Sequence, residues 1–265
     1  MSIKKNAFKH ALSAEKTMFG LWMGIPDTTV AEIGAGAGFD WVLIDAEHGP
    51  FDLHSVLHHL QAIEPHPVST IVRPVEGQTA LIKQYLDIGV QTLLIPMVDT
   101  ARQAERLVQA AYYPPMGIRG LGTSMARAAN WNRTPDYLQR ANDEICLIVQ
   151  IESAEGLKNI DEIVAVEGVD AVFIGPSDLS ASMGYIGNPG HPDVVGAIEG
   201  AFKTIIQAGK HAGVLAVTKD LVETYVAAKA SFIGVGVDAA LLANATKQLA
   251  AEFITDVASE KSAGY

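Results

Sequence analysis

Short apolar runs alternate along the chain with longer stretches whose apolar positions recur every three to four residues. The first kind predicts buried strands and the second amphipathic helices. Eight strand candidates stand out: Phe19–Ile25, Trp41–His48, Val68–Val75, Thr92–Val98, Cys146–Glu152, Ala171–Asp178, Val214–Thr218 and Phe232–Asp238. Helical patterns such as ALIKQYLDIG, ARQAERLVQAAYY, SAEGLKNIDEIVAV and DLVETYVAAKAS fill the gaps. Near-continuous apolar strands alternating with helices imply a parallel sheet covered by helices, and eight such units in about 250 residues match an α/β (β/α)8 TIM barrel. A doubly wound open sheet is the alternative. The segment Tyr113–Ile145 is an excursion after the fourth strand, with a helix expected in NWNRTPDYLQRAND, and Ala239–Glu260 reads as the eighth helix. No linker, repeat or low-complexity tract divides the chain, so residues 1–265 read as one domain with 254–265 as a terminal tail.

Composition narrows the function. With 265 residues, 49% of them hydrophobic, the chain can bury a sizeable core. A net charge of −11 leaves no cationic excess for a phosphate backbone, so no nucleic-acid partner is expected. The longest apolar runs fall short of the ~18 residues of a membrane span, and MSIKKNAFKHALSAEK lacks the apolar core of a signal peptide. A soluble, cytoplasmic protein without a membrane partner is the expectation. The single cysteine, Cys146, starts the fifth strand, which excludes an internal disulfide and predicts a small buried apolar side chain.

In a (β/α)8 barrel, the chemistry gathers where strands end at their C-terminal edge. Asp45, Glu47, His48, Arg73, Gln150, Glu152, Asp178 and Asp238 all lie there. Gln150 and Glu152, two apart on one strand, face the same side. Glu152 and Asp178 on neighbouring strands suit a hard divalent cation such as Mg²⁺ or Mn²⁺, with water and substrate oxygens completing the shell. Both also stand where helices begin, so helix capping explains them equally well. Asp45 orients His48 as a base only if the chain turns over residues 46–48, as Gly49-Pro50 permits. Arg73 needs a carboxylate or an anionic ligand. His54 and His58 fall beside the apolar stripe of Leu53, Val56, Leu57 and Leu60 and read as solvent-facing. IGAGAGF follows a helix instead of a strand, the reverse of a dinucleotide fingerprint, and GIRGLG reads as either an anion-contacting loop or a plain turn. Lys219, after VLAVT, is the lysine placed for a Schiff base, the class I alternative to metal chemistry. A non-catalytic barrel that binds an acidic metabolite is the third possibility.

Taken together, GFDWVLIDAEHGP, the Arg73 strand, YPPMGIRG, VQIES and FIGPSDLSASMG resemble the HpcH/HpaI family of metal-dependent, class II pyruvate aldolases, over nearly the whole chain. The resemblance implies a (β/α)8 barrel, a homohexamer built as a trimer of dimers with the last helix exchanged, and a divalent cofactor, Mg²⁺, Mn²⁺ or Co²⁺. It implies a lyase that splits 4-hydroxy-2-oxo acids into pyruvate and an aldehyde, with 4-hydroxy-2-oxoheptanedioate foremost and sugar-derived acids such as 2-keto-3-deoxyrhamnonate or 2-dehydro-3-deoxyglucarate as alternatives. Residue by residue, it makes Glu152 and Asp178 the metal ligands and Gln150 and the Ser177 backbone substrate contacts. It makes His48 the general base, Asp45 its partner and Arg73 the stabiliser of charge on the keto oxygen. Asp87, in KQYLDIG, matches an aspartate that raises the basicity of the histidine. Because it ends the third helix, away from its own site, it is expected to act on a neighbouring subunit.

Overall fold

The computed structural model describes residues 3–14 and 16–254. Eight parallel strands close into a barrel in sequence order: β1 Met18–Met23, β2 Trp41–Asp45, β3 Ser69–Arg73, β4 Thr92–Ile95, β5 Cys146–Ile151, β6 Ala171–Ile174, β7 His211–Leu215 and β8 Phe232–Val237. Every predicted strand exists, and each ends before its predicted limit because polar loop residues were included in the runs; β7 also begins earlier than predicted, at His211. The closed sheet rules out the open doubly wound alternative.

The strand period of two sorts the apolar residues into two cores. Val42, Ile44, Val72, Leu93, Val149, Ile151, Val172 and Ile174 face outward onto the helices. Trp22, Trp41, Leu43, Ile71, Leu94, Cys146, Ile148, Phe173 and Phe232 fill the barrel. The bulky indole of Trp41 fits because Gly20 opposes it, where even a methyl group would overlap the ring. Cys146 is fully buried, and burial raises its thiol pKa well above the ordinary value, as a structural cysteine requires.

The closed lower end was not legible in the sequence. A short helix, Ala7–Leu12, carries Phe8 into the N-terminal end of the barrel, edge-on to Trp41 and Phe232. Asn6 caps that helix and donates its side-chain amide to Thr92 Oγ1 and the Glu144 carbonyl. The excursion is also less helical than expected: it contains one α turn, Tyr137–Arg140, flanked by short 3-10 turns, and Asn130, Trp131 and Asn132 all take left-handed backbone. The last helix runs Asp238–Phe253, and the part of the expected helix beyond residue 254 lies outside the described residues. Among the described residues no helix is long and apolar enough to cross a membrane.

Candidate active site

Asp45 and Arg73 are register partners on β2 and β3, and both point into the barrel at its C-terminal edge. The guanidinium makes a two-pronged bond to Asp45, Nε to Oδ1 at 2.8 Å and Nη2 to Oδ2 at 2.7 Å, while Nη1 lies 2.9 Å from Glu47 Oε2. Trp22 donates its indole N–H to Asp45 Oδ2 at 3.2 Å, and its ring lies under the guanidinium. Burial raises the Asp45 carboxyl pKa, but the bonds and charge of Arg73, with the Glu47 and Trp22 donors, outweigh it and hold the group below the usual range. Burial wins at Glu47, whose pKa is raised despite the charges of Arg73 and His48. Arg73 thus finds carboxylates on its own chain, so the need for an anion that its position implied is already met.

The turn expected at residues 46–48 forms, with a different consequence from the one anticipated. Asp45 Oδ1 accepts the backbone N–H groups of Glu47 and His48, at 3.1 and 3.4 Å, and does not bond the imidazole. The His48 side chain is 68% exposed, and its Nε2 sits 3.8 Å from Glu47 Oε2. The side-chain dyad of Asp45 and His48 is therefore corrected: the ligand capacity of Asp45 is taken by Arg73, Trp22 and the turn, and Glu47 is the carboxylate beside the histidine.

Across the mouth, Glu152 follows β5. Gln150 donates its amide to Glu152 Oε2, and the Met97 backbone N–H donates to Oε1 at 2.8 Å. Gly175, after β6, lets the carboxylate approach, since a Cβ there would lie 2.6 Å from Oε2. Burial, together with the charges of Glu47 and Asp178, pushes the Glu152 pKa up to about 7 despite these two hydrogen bonds. The capping alternative does not hold for either carboxylate. Ser153 caps the helix Ala154–Lys158 through Gly156 N–H, and Asp178 lies within the first turn of Pro176–Ser182, whose N-cap position is Gly175. Asp178 and Ser177 are exposed at the rim.

The donor set fits a hard cation. Two carboxylates, one buried and one exposed, repel each other and Glu47 across the mouth, and Gln150 Oε1 is buried without a hydrogen-bond partner. Among the described residues no cluster of three or more His, Cys, Asp or Glu could hold a metal alone, so water or substrate oxygens must supply the remaining positions, as Mg²⁺ ordinarily requires.

Other residues fall elsewhere. Asp238 is buried and accepts the N–H groups of Gly24 and Ile25, at 2.8 and 3.1 Å, tying β8 to the end of β1. Asp87 pairs with the buried Arg119 at 2.8 Å, in the excursion, and among the described residues has no hydrogen bond or ion pair to the rim. Lys219 opens the helix Lys219–Ala227, is 86% exposed and pairs with Glu223, so the lysine placed for a Schiff base stands in solvent and not in a buried site. In GIRGLG, the N–H groups of Gly117, Ile118 and Arg119 bond the carbonyls of Tyr113, Gln109 and Tyr112, at and just after the end of the preceding helix, which makes the segment a turn. His54 and His58 are exposed, as expected, and stack edge-on with each other. Trp22, Glu47 and Met97 complete the site although the sequence did not assign them roles. Trp22 gave a usable signal, an inward position next to the last residue of a strand; Met97 gave none, because a methionine does not announce left-handed backbone.

Comparison with known proteins agrees with this architecture. A sequence model of the HpcH/HpaI aldolase/citrate lyase family matches residues 18–245. The chain is 61% identical over 248 residues to a "hydroxypyruvate/pyruvate aldolase" of Deinococcus radiodurans, covering 94% of this chain and 90% of the relative. It is 52% identical over 261 residues to a "4-hydroxy-2-oxo-heptane-1,7-dioate aldolase" of Shigella sonnei, covering 98% of this chain and 100% of the relative. The crystal structure of an HpcH/HpaI aldolase/citrate lyase family protein from Burkholderia cenocepacia superposes with a TM-score of 0.90 at 36% identity, over 94% of this chain and 99% of that one. With a closed barrel, an acidic and cationic C-terminal rim and these relatives, the chain belongs to the HpcH/HpaI aldolase family and is a carbon–carbon lyase of the aldolase type.

Proposed function

We propose that the rim carries out the reversible, metal-dependent cleavage of 4-hydroxy-2-oxo acids to pyruvate and an aldehyde. The observation that supports it best is Glu152, a buried carboxylate fixed by Gln150 and Met97, set among other carboxylates and opposite Arg73. Glu152 and Asp178 would hold Mg²⁺, Mn²⁺ or Co²⁺. Bound there, the cation supplies a Lewis acid that polarises a 2-oxo group. Arg73, held rigid by Asp45 and Glu47, places its positive charge where negative charge develops on the keto oxygen. Ser177 offers a first-turn backbone N–H to the substrate carboxylate, and Gln150, whose amide holds Glu152, is the second substrate contact. His48, exposed to the mouth, takes the proton of the 4-hydroxyl. The C3–C4 bond breaks, its electron pair passes onto the pyruvate fragment, the aldehyde departs, and protonation at C3 yields pyruvate.

The substrate we favour is 4-hydroxy-2-oxoheptanedioate, giving succinic semialdehyde, in line with the Shigella sonnei relative. A second reading, in which hydroxypyruvate serves as the donor in the aldol direction, is favoured by the relatives of that name at 61% and 54% identity. The working unit is a homohexamer, with each last helix exchanged onto a neighbour. That helix exposes Leu241, Leu242, Leu249 and Phe253 and buries only Asp238, a surface that calls for cover by a second copy. Asp87 would then reach a neighbouring rim. The reactions occupy a cytoplasmic enzyme with small 2-oxo acid and aldehyde substrates.

The test is pyruvate release from 4-hydroxy-2-oxoheptanedioate by metal-stripped protein, with and without each cation, beside the rhamnonate and glucarate analogues and an aldol assay with hydroxypyruvate. Cation-dependent release supports the proposal, and the ranking of substrates selects between the two readings. Release that persists in chelator contradicts it.

A further inference from the structure

Met97 is a non-glycine residue with φ +57°, in the left-handed region that methionine rarely adopts. It is not bent there to bury its side chain, which is half exposed. The backbone on either side explains the conformation. Ile95 ends β4, Val98 N–H rejoins β5 by donating to the Gln150 carbonyl at 2.9 Å, and between them the Met97 N–H turns inward and donates to Glu152 Oε1 at 2.8 Å. We propose that Met97 is a positioning residue whose left-handed backbone aims the Glu152 carboxylate, so that position 97 is governed by backbone conformation and not by side-chain character. This rests on the reading of Glu152 as a metal ligand only for its consequence in metal binding; the geometry itself stands without it.

Substitutions that span left-handed propensity separate backbone from side chain. Glycine and asparagine adopt φ near +60° easily, alanine less so, and β-branched valine least. In metal-free protein, hydrogen–deuterium exchange over residues 95–99 reads the Met97 N–H bond. We expect protection in the wild type, M97G and M97N, partial protection in M97A, and loss in M97V and E152A. M97G should melt about 2 °C or more above the wild type, because it removes the strain. Mn²⁺ titration followed by electron paramagnetic resonance should give M97G and M97N affinities within about twofold of the wild type and M97V about tenfold weaker. An unprotected amide in the wild type, protection kept in M97V, or M97G behaving like M97V would overturn the inference. Should the wild type bind no Mn²⁺, or E152Q bind it as the wild type does, the metal reading falls while the exchange pattern still decides the role of Met97.

Discussion

Replacing Glu152 by Gln should stabilise the metal-free protein, although it removes a residue assigned to the active site. A carboxyl whose pKa is moved from an ordinary 4.5 to about 7 by burial and by neighbouring Glu47 and Asp178 costs about 3 kcal/mol to keep ionised at alkaline pH. The folded group binds its proton more tightly than the unfolded one, so its cost is full above about pH 7, falls as pH drops through that value and vanishes near pH 4. Glutamine keeps an oxygen for Met97 N–H, and Gln150 can turn its partnerless Oε1 toward the new amide. Thermal melts in chelator should place E152Q about 6–10 °C above the wild type at pH 8.5, with the gap closing toward pH 4.5. Added Mn²⁺ should raise the wild-type midpoint at pH 8.5 and leave E152Q unmoved. A variant that is destabilised at every pH, or a gap that does not change with pH, would refute the idea that Glu152 stands as a strained charge awaiting a cation.

Three further outcomes follow from the same geometry. His48→Ala should lower turnover on the order of 10² to 10⁴ while Mn²⁺ affinity stays within about twofold, measured by steady-state kinetics and metal titration; near-normal turnover would take His48 out of the base role. Arg73→Lys keeps a charge but loses the fork on Asp45, and should lower pyruvate release at least as steeply while destabilising the fold by about 3 kcal/mol in denaturant melts. Asp45 titrates below its ordinary range, so its contribution to stability is full above about pH 4 and is lost as pH falls through the lowered folded value. Asp45→Asn should therefore flatten the acid limb of the stability curve, and an unchanged limb would contradict the buried ion pair.

The barrel was legible because each of its strands is short, apolar and bounded by turn chemistry, and closure follows from eight such units with covering helices. The rim was legible for a related reason: a buried run that ends in Asp45, Arg73 or Glu152 has few stable explanations other than pairing or chemistry. What periodicity cannot give is which partner each group chooses. Asp45 and Arg73 are cross-strand neighbours only once the register is known, and this pairing is what removes Asp45 from His48 and brings Glu47 beside the ring. Met97 was silent because its role belongs to its backbone, and the plug formed by Phe8 was silent because a six-residue helix carries too short a period to register.

The central claim is that Glu152 and Asp178, with a divalent cation and Arg73, stabilise the enolate of pyruvate. Exchange of the pyruvate methyl protons with solvent deuterium, followed by proton NMR without any aldehyde, tests this most directly, using metal-stripped protein with and without Mg²⁺ and the variants E152Q, D178N and R73K. The account expects exchange that requires Mg²⁺ and is lost in all three variants. Exchange that proceeds in chelator, or that survives in E152Q with Mg²⁺ present, would contradict it.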